Sequence, residues 1–356
     1  MKICFLGDGN SIHIRRWLDS FHDRGHEVHL ITFSKVELKH IIVHKIGDVD
    51  ININGSNWKY MFSIMQIKKL LRKINPDIVN AHFVTSYGFL AALAGARLLV
   101  VSAWGTDILV TPRRNKIYKA ITKYALNKAK LVTSDSDFMS EAINKLTNTE
   151  VLTVPMGVES SLCFEDRKES NDEIKILSLR TVNKNSNIDV IVKAFSKLVA
   201  SNEDNRFKLI ITNDGPEMEN IKVLVKELNL ENSVIIKGFV SRDKLIELLY
   251  SSHIHITVPD SDSTSVTLLE AMASGIITIA SDIPANREWI KHNESGLIAE
   301  NIDAESIRVC MEYAMNDSEF KQKAAGLSRE VILKRAIWSQ NMQLVEQKYL
   351  KLIKNS

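Results

Sequence analysis

Residues 253–289 constrain the fold more than any other stretch of the chain. An apolar run, 253–258, precedes a loop of small polar residues, 260–265. An apolar helix follows, carrying Val266, Leu268, Leu269, Ala271, Met272 and Ala273. Gly275 stands just past its end, where a positive φ is common. Residues 276–280 are apolar enough for a strand buried on both faces. Strand, helix and strand at this spacing form a βαβ unit, which demands a parallel sheet.

The same stretch carries chemistry. Ser263, Thr264 and Ser265 lie where the first backbone N–H groups of the helix have no intrahelical partner, and such an end binds anions, phosphate above all. Glu270 is the single charge on the helix. A carboxylate accepts two hydroxyl hydrogen bonds side by side, as a ribose diol offers them. Asp262 precedes the helix by enough to point at whatever extends beyond the phosphate. Together these residues suit a nucleoside diphosphate bearing a hydroxylated group. The plainer alternative stands beside it: Ser263 caps the helix and Glu270 faces water.

A chain of 356 residues is long enough for two domains, each with its own core. The net charge of +3, from 46 basic and 43 acidic residues, argues against nucleic-acid binding by bulk charge. Cys4, Cys163 and Cys310 have no paired metal spacing and read as reduced thiols of a cytoplasmic protein. The first ten residues do not form a signal peptide, because their apolar run is too short. Residues 87–104 are the longest apolar stretch, and Arg97 breaks it, so it is too short to span a bilayer.

In the first half, strands are expected at 2–6, 27–33, 78–82, 98–103, 130–134 and 151–154. Helices are expected at 12–24, 61–74, 87–96, 116–128 and 137–146. Apolar strands alternating with such helices mean a doubly wound α/β domain. Gly7 and Gly9 follow the first strand and His13 follows them, but Ile12 occupies the third glycine position of a dinucleotide fingerprint. Pro76 ends a helix, and the next strand delivers His82 to its carboxyl end, the edge where open α/β sheets bind ligands. Trp104, Gly105, Thr106 and Asp107 end the following strand. Residues 112–130 hold seven basic residues and no acid. Ile117, Ala120, Ile121, Tyr124 and Ala125 recur at helical spacing. This reads as a helix drawn to an anionic membrane surface, or as a solvated helix with that apolar face in the core.

The second half opens after a polar linker, 165–173. A strand at 174–179 ends at Arg180, whose planar fork suits phosphate oxygens. Helix 188–201, strand 207–212, an Asn213-Asp214-Gly215-Pro216 turn, helix 218–228 and strand 233–237 follow. Gly238, Phe239 and Val240 then lead to a helix at 244–251. Helices are expected from 283 to the end, the last an amphipathic one at 338–353.

The run D-S-T-S-V-T-L-L-E-A-M-A-S-G, Asp262 to Gly275, resembles the E-x7-E region of retaining glycosyltransferases with the GT-B fold, family 4 type, read as E-G-F-G-x-x-x-x-E-A-M-A-x-G. The second acid, the A-M-A and the glycine match. Asp262 stands for the first acid and S-T-S for G-F-G. Trp104-Gly105-Thr106-Asp107 resembles the family's H-G-T/S-D turn with Trp for His, and the resemblance is strongest from Arg180 to Gly296.

The resemblance implies an α/β GT-B fold of two Rossmann-like doubly wound parallel-sheet domains facing a cleft. Residues 1–160 with a crossover helix 339–356 would be the acceptor side, and 161–338 would bind the nucleotide sugar. It implies Arg180 at the donor diphosphate, with Lys184 nominated because the family's lysine positions hold Asn185 and Ser186. Ser263, Thr264 and Ser265 would bind the diphosphate, with Gly9 helping. Glu270 would hold the ribose and Asp262 the donor sugar, while backbone at Gly238 and Phe239 would read the nucleobase. His82, Asp262 and Glu270 are the catalytic candidates; Gly7, His13 and Asp107 are the acceptor-side ones. The implied activity is retaining, metal-independent hexosyl transfer in cell-surface glycan biosynthesis, with no cofactor beyond a nucleotide-diphosphate sugar as co-substrate. The implied acceptor is lipid-linked or a polysaccharide, at the inner face of the cell membrane. Two alternatives remain: a non-catalytic nucleotide-sugar-binding partner subunit, and an NAD-dependent oxidoreductase using the Gly7 turn.

Overall fold

The computed structural model describes residues 1–47, 62–163, 173–202 and 206–356. The chain forms two compact units, Met1–Met156 with Ser339–Ser356, and Gly157–Trp338. Residues 157–160, read from sequence as part of the first domain, sit with the second unit. The reason is local: Val158 donates to the Ala336 carbonyl (2.8 Å) and accepts from Trp338 N–H (2.9 Å).

The first unit is built on a seven-stranded parallel sheet. Its strands are β1 (Lys2–Leu6), β2 (Glu27–Thr32), β3 (Ile42–Lys45), β4 (Ile78–His82), β5 (Leu99–Ser102), β6 (Leu131–Ser134) and β7 (Val151–Thr153), in the order β3-β2-β1-β4-β5-β6-β7. Helices cover both faces, so Ile3, Cys4, Phe5 and Leu6 are all fully buried although they alternate in direction. Burial pushes the Cys4 thiol up to about 12, which keeps it an inert core residue. The last helix, Trp338–Lys354, packs on this unit. Met342, Val345 and Tyr349 are fully buried, and the Tyr349 ring stacks on Phe21 with centroids 5.5 Å apart. Burial of each such side chain stabilises by about 1.5–3 kcal/mol. Glu346 adds polar anchors, to Arg24 (3.3 Å) and His26 (2.7 Å).

The second unit has a six-stranded parallel sheet. Its strands are β8 (Ile174–Ser178), β9 (Phe207–Thr212), β10 (Val234–Gly238), β11 (Ile254–Thr257), β12 (Ile277–Ser281) and β13 (Leu297–Ala299), in the order β10-β9-β8-β11-β12-β13. In each sheet the strand order reverses beside the first strand, between β1 and β4 and between β8 and β11. Ligands of open α/β sheets bind outside the carboxyl ends at this point.

Three expectations need correction. β3 was not foreseen, and β13 lies where continuous helix was expected. The helix expected over 87–96 is instead a π-helical turn, Val84–Gly88, followed by the short helix Phe89–Leu93. The N–H of Gly88 reaches back to the Phe83 carbonyl (3.0 Å), which sets the wider turn. The expected helix start at Met61 and the linker 165–172 lie outside the described residues; the helix is described from Ile64 to Ile74.

Candidate active site

At the switch point of the second sheet, β8 runs into Leu179 and Arg180, and β11 runs into the loop 258–265 and the helix Val266–Ala273. Arg180 Nη1 donates to Asp262 Oδ2 (2.6 Å) and to Ser265 Oγ (3.3 Å). The Ser263 N–H closes back on Asp262 Oδ1 (2.8 Å). Ser263, Thr264 and Ser265 are all buried. The helix cap is Ser265, whose Oγ accepts from Leu268 N–H (3.4 Å), so the expectation that Ser263 caps the helix is corrected.

Glu270 does not face water. Its side chain is 7% exposed, it stands among fully buried neighbours from Leu268 to Ala273, and it is ion-paired with Arg242. Arg242 opens the helix Arg242–Ser251, two residues before the expected start, because Ser241 caps it by accepting from Lys244 N–H (3.3 Å). Gly238, at the end of β10, has φ +64, and a Cβ there would meet no atom. The glycine is needed for its left-handed backbone, not for space. Phe239 beside it is 83% exposed.

Lys184 does not join the hydrogen bonds of Arg180. It lines a separate pocket of 330 Å³ with Asn183, Asn187, Asp189 and Glu217. Asn185, which sequence reasoning passed over, ties down the loop after β11: its amide donates to the Ser261 carbonyl (3.1 Å) and accepts from Ser261 N–H (3.2 Å). The Asn187 amide nitrogen donates to the Val258 carbonyl (3.0 Å) and to Asp260 Oδ1 (3.0 Å). Beneath this loop, His255 is fully buried on β11 with both ring nitrogens unpartnered. Burial, aided by the charge of Arg180, pushes its pKa down to about 3.

The switch point of the first sheet gathers aromatic rings. Gly7 packs closely here: a Cβ on it would displace the tip of the Ile14 side chain and make ordinary contact, at 3.4 Å, with His82 Cβ. Gly9 N–H is held by Thr32 Oγ1 (3.2 Å). His82 is buried, and its Nε2 lies 3.0 Å from Asn80 Oδ1, while Nδ1 has no partner. The Asn80 amide is oriented by its own donation to Ser102 Oγ (2.9 Å), so its oxygen faces the ring and the imidazole N–H donates to it. Burial, with a smaller contribution from His13, pushes His82 down to about 3, which keeps it neutral at physiological pH. The Trp104 ring stands 5.3 Å from both His13 and His82, and Trp17 meets His82 edge-on at 5.2 Å. His13 is also lowered, by burial first and then by Arg16.

Asp107, an acceptor-side candidate by sequence, is instead fully buried and presents no surface to an acceptor. Its carboxyl receives Val84 N–H (2.7 Å) and Trp104 N–H (3.0 Å), and burial pushes its pKa up to about 6. It thereby fixes the corner after His82. Phe83 there has φ +73, an unusual conformation for a bulky residue, and such conformations cluster at functional sites.

Two family models match the chain: "Glycosyl transferase 4-like" over residues 2–136, and "Glycosyl transferases group 1" over residues 163–330. The chain belongs to the group 1, family 4-like glycosyltransferases. N-acetyl-α-D-glucosaminyl L-malate synthase of Bacillus anthracis is 25% identical to this glycosyltransferase over 330 residues, spanning 87% of this chain and 85% of that protein. The α-monoglucosyldiacylglycerol synthase of Streptococcus pneumoniae is 26% identical over 148 residues, 38% of this chain and 33% of that one. Among solved structures, Anabaena HepE in complex with UDP and glucose superimposes with a TM-score of 0.79 at 15% identity, covering 99% of this chain and 100% of that one. The fold of this glycosyltransferase is therefore GT-B.

The basic helix of the glycosyltransferase, Lys116–Lys128, turns differently from expectation. Its buried residues are Thr122, Ala125 and Leu126, whereas Ile117 (61% exposed), Ala120 and Tyr124 share the surface with Lys116, Lys119 and Lys123. The apolar stripe assigned to the core is thus largely outward. No helix among the described residues is long and apolar enough to cross a membrane.

Proposed function

We propose that this glycosyltransferase transfers a hexosyl group, with retention, from a uridine diphosphate sugar to an acceptor hydroxyl on a lipid-linked or polysaccharide chain. The observation that carries this reading is the convergence of Arg180, Asp262 and Ser265 at the switch point of the second sheet, with Glu270 buried on the helix that Ser265 caps. Arg180 and the amides at the start of the helix Val266–Ala273 bind the diphosphate and stabilise the charge it gains as it departs. Glu270 accepts the ribose hydroxyls, and Asp262 accepts from the donor sugar. The bond from the anomeric carbon to the phosphate oxygen breaks as the bond to the acceptor oxygen forms on the same face. The acceptor proton passes to the departing phosphate. His82, neutral and fixed through Asn80, supplies a hydrogen-bonding nitrogen rather than a charge.

Arg180 and the backbone amides of the helix start do the work a divalent metal would otherwise do, so the reaction is metal-independent. That UDP is the leaving group draws on the solved relative bound to UDP. The lipid-linked acceptor draws on the basic, partly apolar helix surface and on the relative named for a diacylglycerol product. Residues 113–130 would hold the enzyme on the cytoplasmic face of an anionic membrane. Incubation with UDP-glucose, UDP-galactose and UDP-N-acetylglucosamine and a lipid extract, followed by proton NMR of the product, tests the reading. An α-linked product from an α-donor is expected. An inverted linkage would overturn retention, and binding without turnover would favour the partner-subunit alternative.

A further inference from the structure

We propose that Arg242 is a positioning residue for donor recognition: its guanidinium holds the buried Glu270 carboxylate in the orientation that accepts the ribose hydroxyls. This rests on the reading of Glu270 given above. Most ion pairs of the second unit join two exposed side chains, as Lys244–Glu247 does at 41% and 63%, and such pairs contribute little. The Arg242–Glu270 pair is different. One partner is 7% exposed on an apolar helix and the other is 44% exposed at the first position of another.

The geometry explains what the pair does. A glutamate has three side-chain torsions, and even a buried carboxylate has several rotamers to choose among. A guanidinium at a fixed helix start favours the rotamer whose oxygen reaches it. Arg242 engages Oε1 through Nη1. A carboxylate accepts about four hydrogen bonds, so the arginine bond does not by itself exclude a ribose diol on the same group. The position of Arg242 is itself set by the backbone. Ser241 caps its helix, and Gly238 at φ +64 turns the chain out of β10 three residues before the cap. Gly238–Val240 is also the segment assigned to the nucleobase. Arg242 therefore links the base-reading loop to the ribose-reading carboxylate.

The test is calorimetric titration of the full chain with UDP and with 2′,3′-dideoxy-UDP. The proteins are the wild type, Arg242→Ala, Arg242→Lys, Arg242→Gln and Glu270→Gln. The wild type should prefer UDP by about 10-fold or more, the ratio expected for hydrogen bonds to a charged acceptor. Arg242→Ala should bring that preference close to unity while binding the dideoxy nucleotide as the wild type does. Arg242→Lys should restore part of it and Arg242→Gln less. A purely structural role would lower the melting temperature and leave the UDP preference intact; that result overturns the inference. If Arg242→Ala fails to fold, the lysine and glutamine variants decide on the same ratio. Preference retained in Glu270→Gln would overturn the ribose reading itself. Preference lost in Glu270→Gln but kept in every folded Arg242 variant would overturn only the role of Arg242. A wild type that binds no UDP would remove both.

Discussion

The arginine assigned to the diphosphate is already paired within the protein, and this makes a two-sided prediction. Arg180 donates to Asp262 at 2.6 Å, and both side chains are mostly shielded, at 17% and 20% exposure. A diphosphate must take over a group that Asp262 holds. Arg180→Ala should weaken UDP binding by about 1.5–3 kcal/mol, or 10- to 150-fold, the value of a charge-assisted hydrogen bond lost. Uridine has no phosphate, so its weak binding should not change. Asp262→Asn keeps the oxygen that receives Ser263 N–H but removes the competing charge. The pair is partly screened, so the competition relieved is about 1 kcal/mol, and UDP should bind roughly 5-fold tighter. Sugar transfer should nonetheless fall, because Asp262 is the group assigned to the donor sugar. Titration calorimetry with UDP and uridine, and turnover with the UDP-sugar, read all three. Equal losses for uridine and UDP in Arg180→Ala, or weaker UDP binding in Asp262→Asn, would refute the reasoning.

The remaining predictions concern acid stability, metals and membranes. His82 and His255 are buried neutral with pKa values near 3, below the unfolded value, so their contribution is complete above about pH 6.5 and is lost as pH falls toward 3, at about 1.4 kcal/mol per pH unit for each. Asp107 acts oppositely, since a folded pKa raised to about 6 contributes most below about pH 4 and is lost as pH rises through 6. Melting temperature should therefore fall as pH drops from 7 to 5, and less steeply in His255→Leu; equal slopes would contradict this. Chelator should leave transfer unchanged, and loss restored by manganese or magnesium would contradict the metal-independent reading. Binding to anionic vesicles should weaken by about 100-fold on replacing Arg113, Arg114 and Lys116 by alanine, at ~1 kcal/mol per charge, and equal binding to neutral vesicles would remove the electrostatic attraction.

The sheet cores were legible because their strands are continuous apolar runs. Ile3 to Leu6 has no polar face, and Ile277 to Ala280 is interrupted only by the buried Thr278; only a sheet covered on both sides buries such runs. β3 and β13 were not legible: they have four and three residues, and β3 is half exposed at the sheet edge. The outward Ile117 and Tyr124 show the limit of helical periodicity. Two stripes, 117/120/124 and 122/125/126, satisfy it, and only packing against the unit selects the second. In the site, Arg180, Asp262 and Glu270 are singled out by a local pattern of residues, and the structure pairs Arg180 with Asp262 and Glu270 with Arg242. Arg242 and Asn185 act across distant parts of the chain, and no local spacing announces an arginine on another helix or an asparagine that clasps a loop. Asp107 was misassigned because a carboxylate serving two backbone N–H groups and one serving a ligand look alike in sequence.

Hydrogen–deuterium exchange of the full chain with saturating UDP tests the central claim most directly. Backbone amides in 178–187, 238–242 and 258–270 should gain protection, because that is where the diphosphate, base and ribose are placed. The turn 7–10 should gain much less. Protection confined to residues 7–10 and the ends of β1 and β4, with 258–270 unchanged, would contradict a nucleotide site built on Arg180, Ser265 and Glu270.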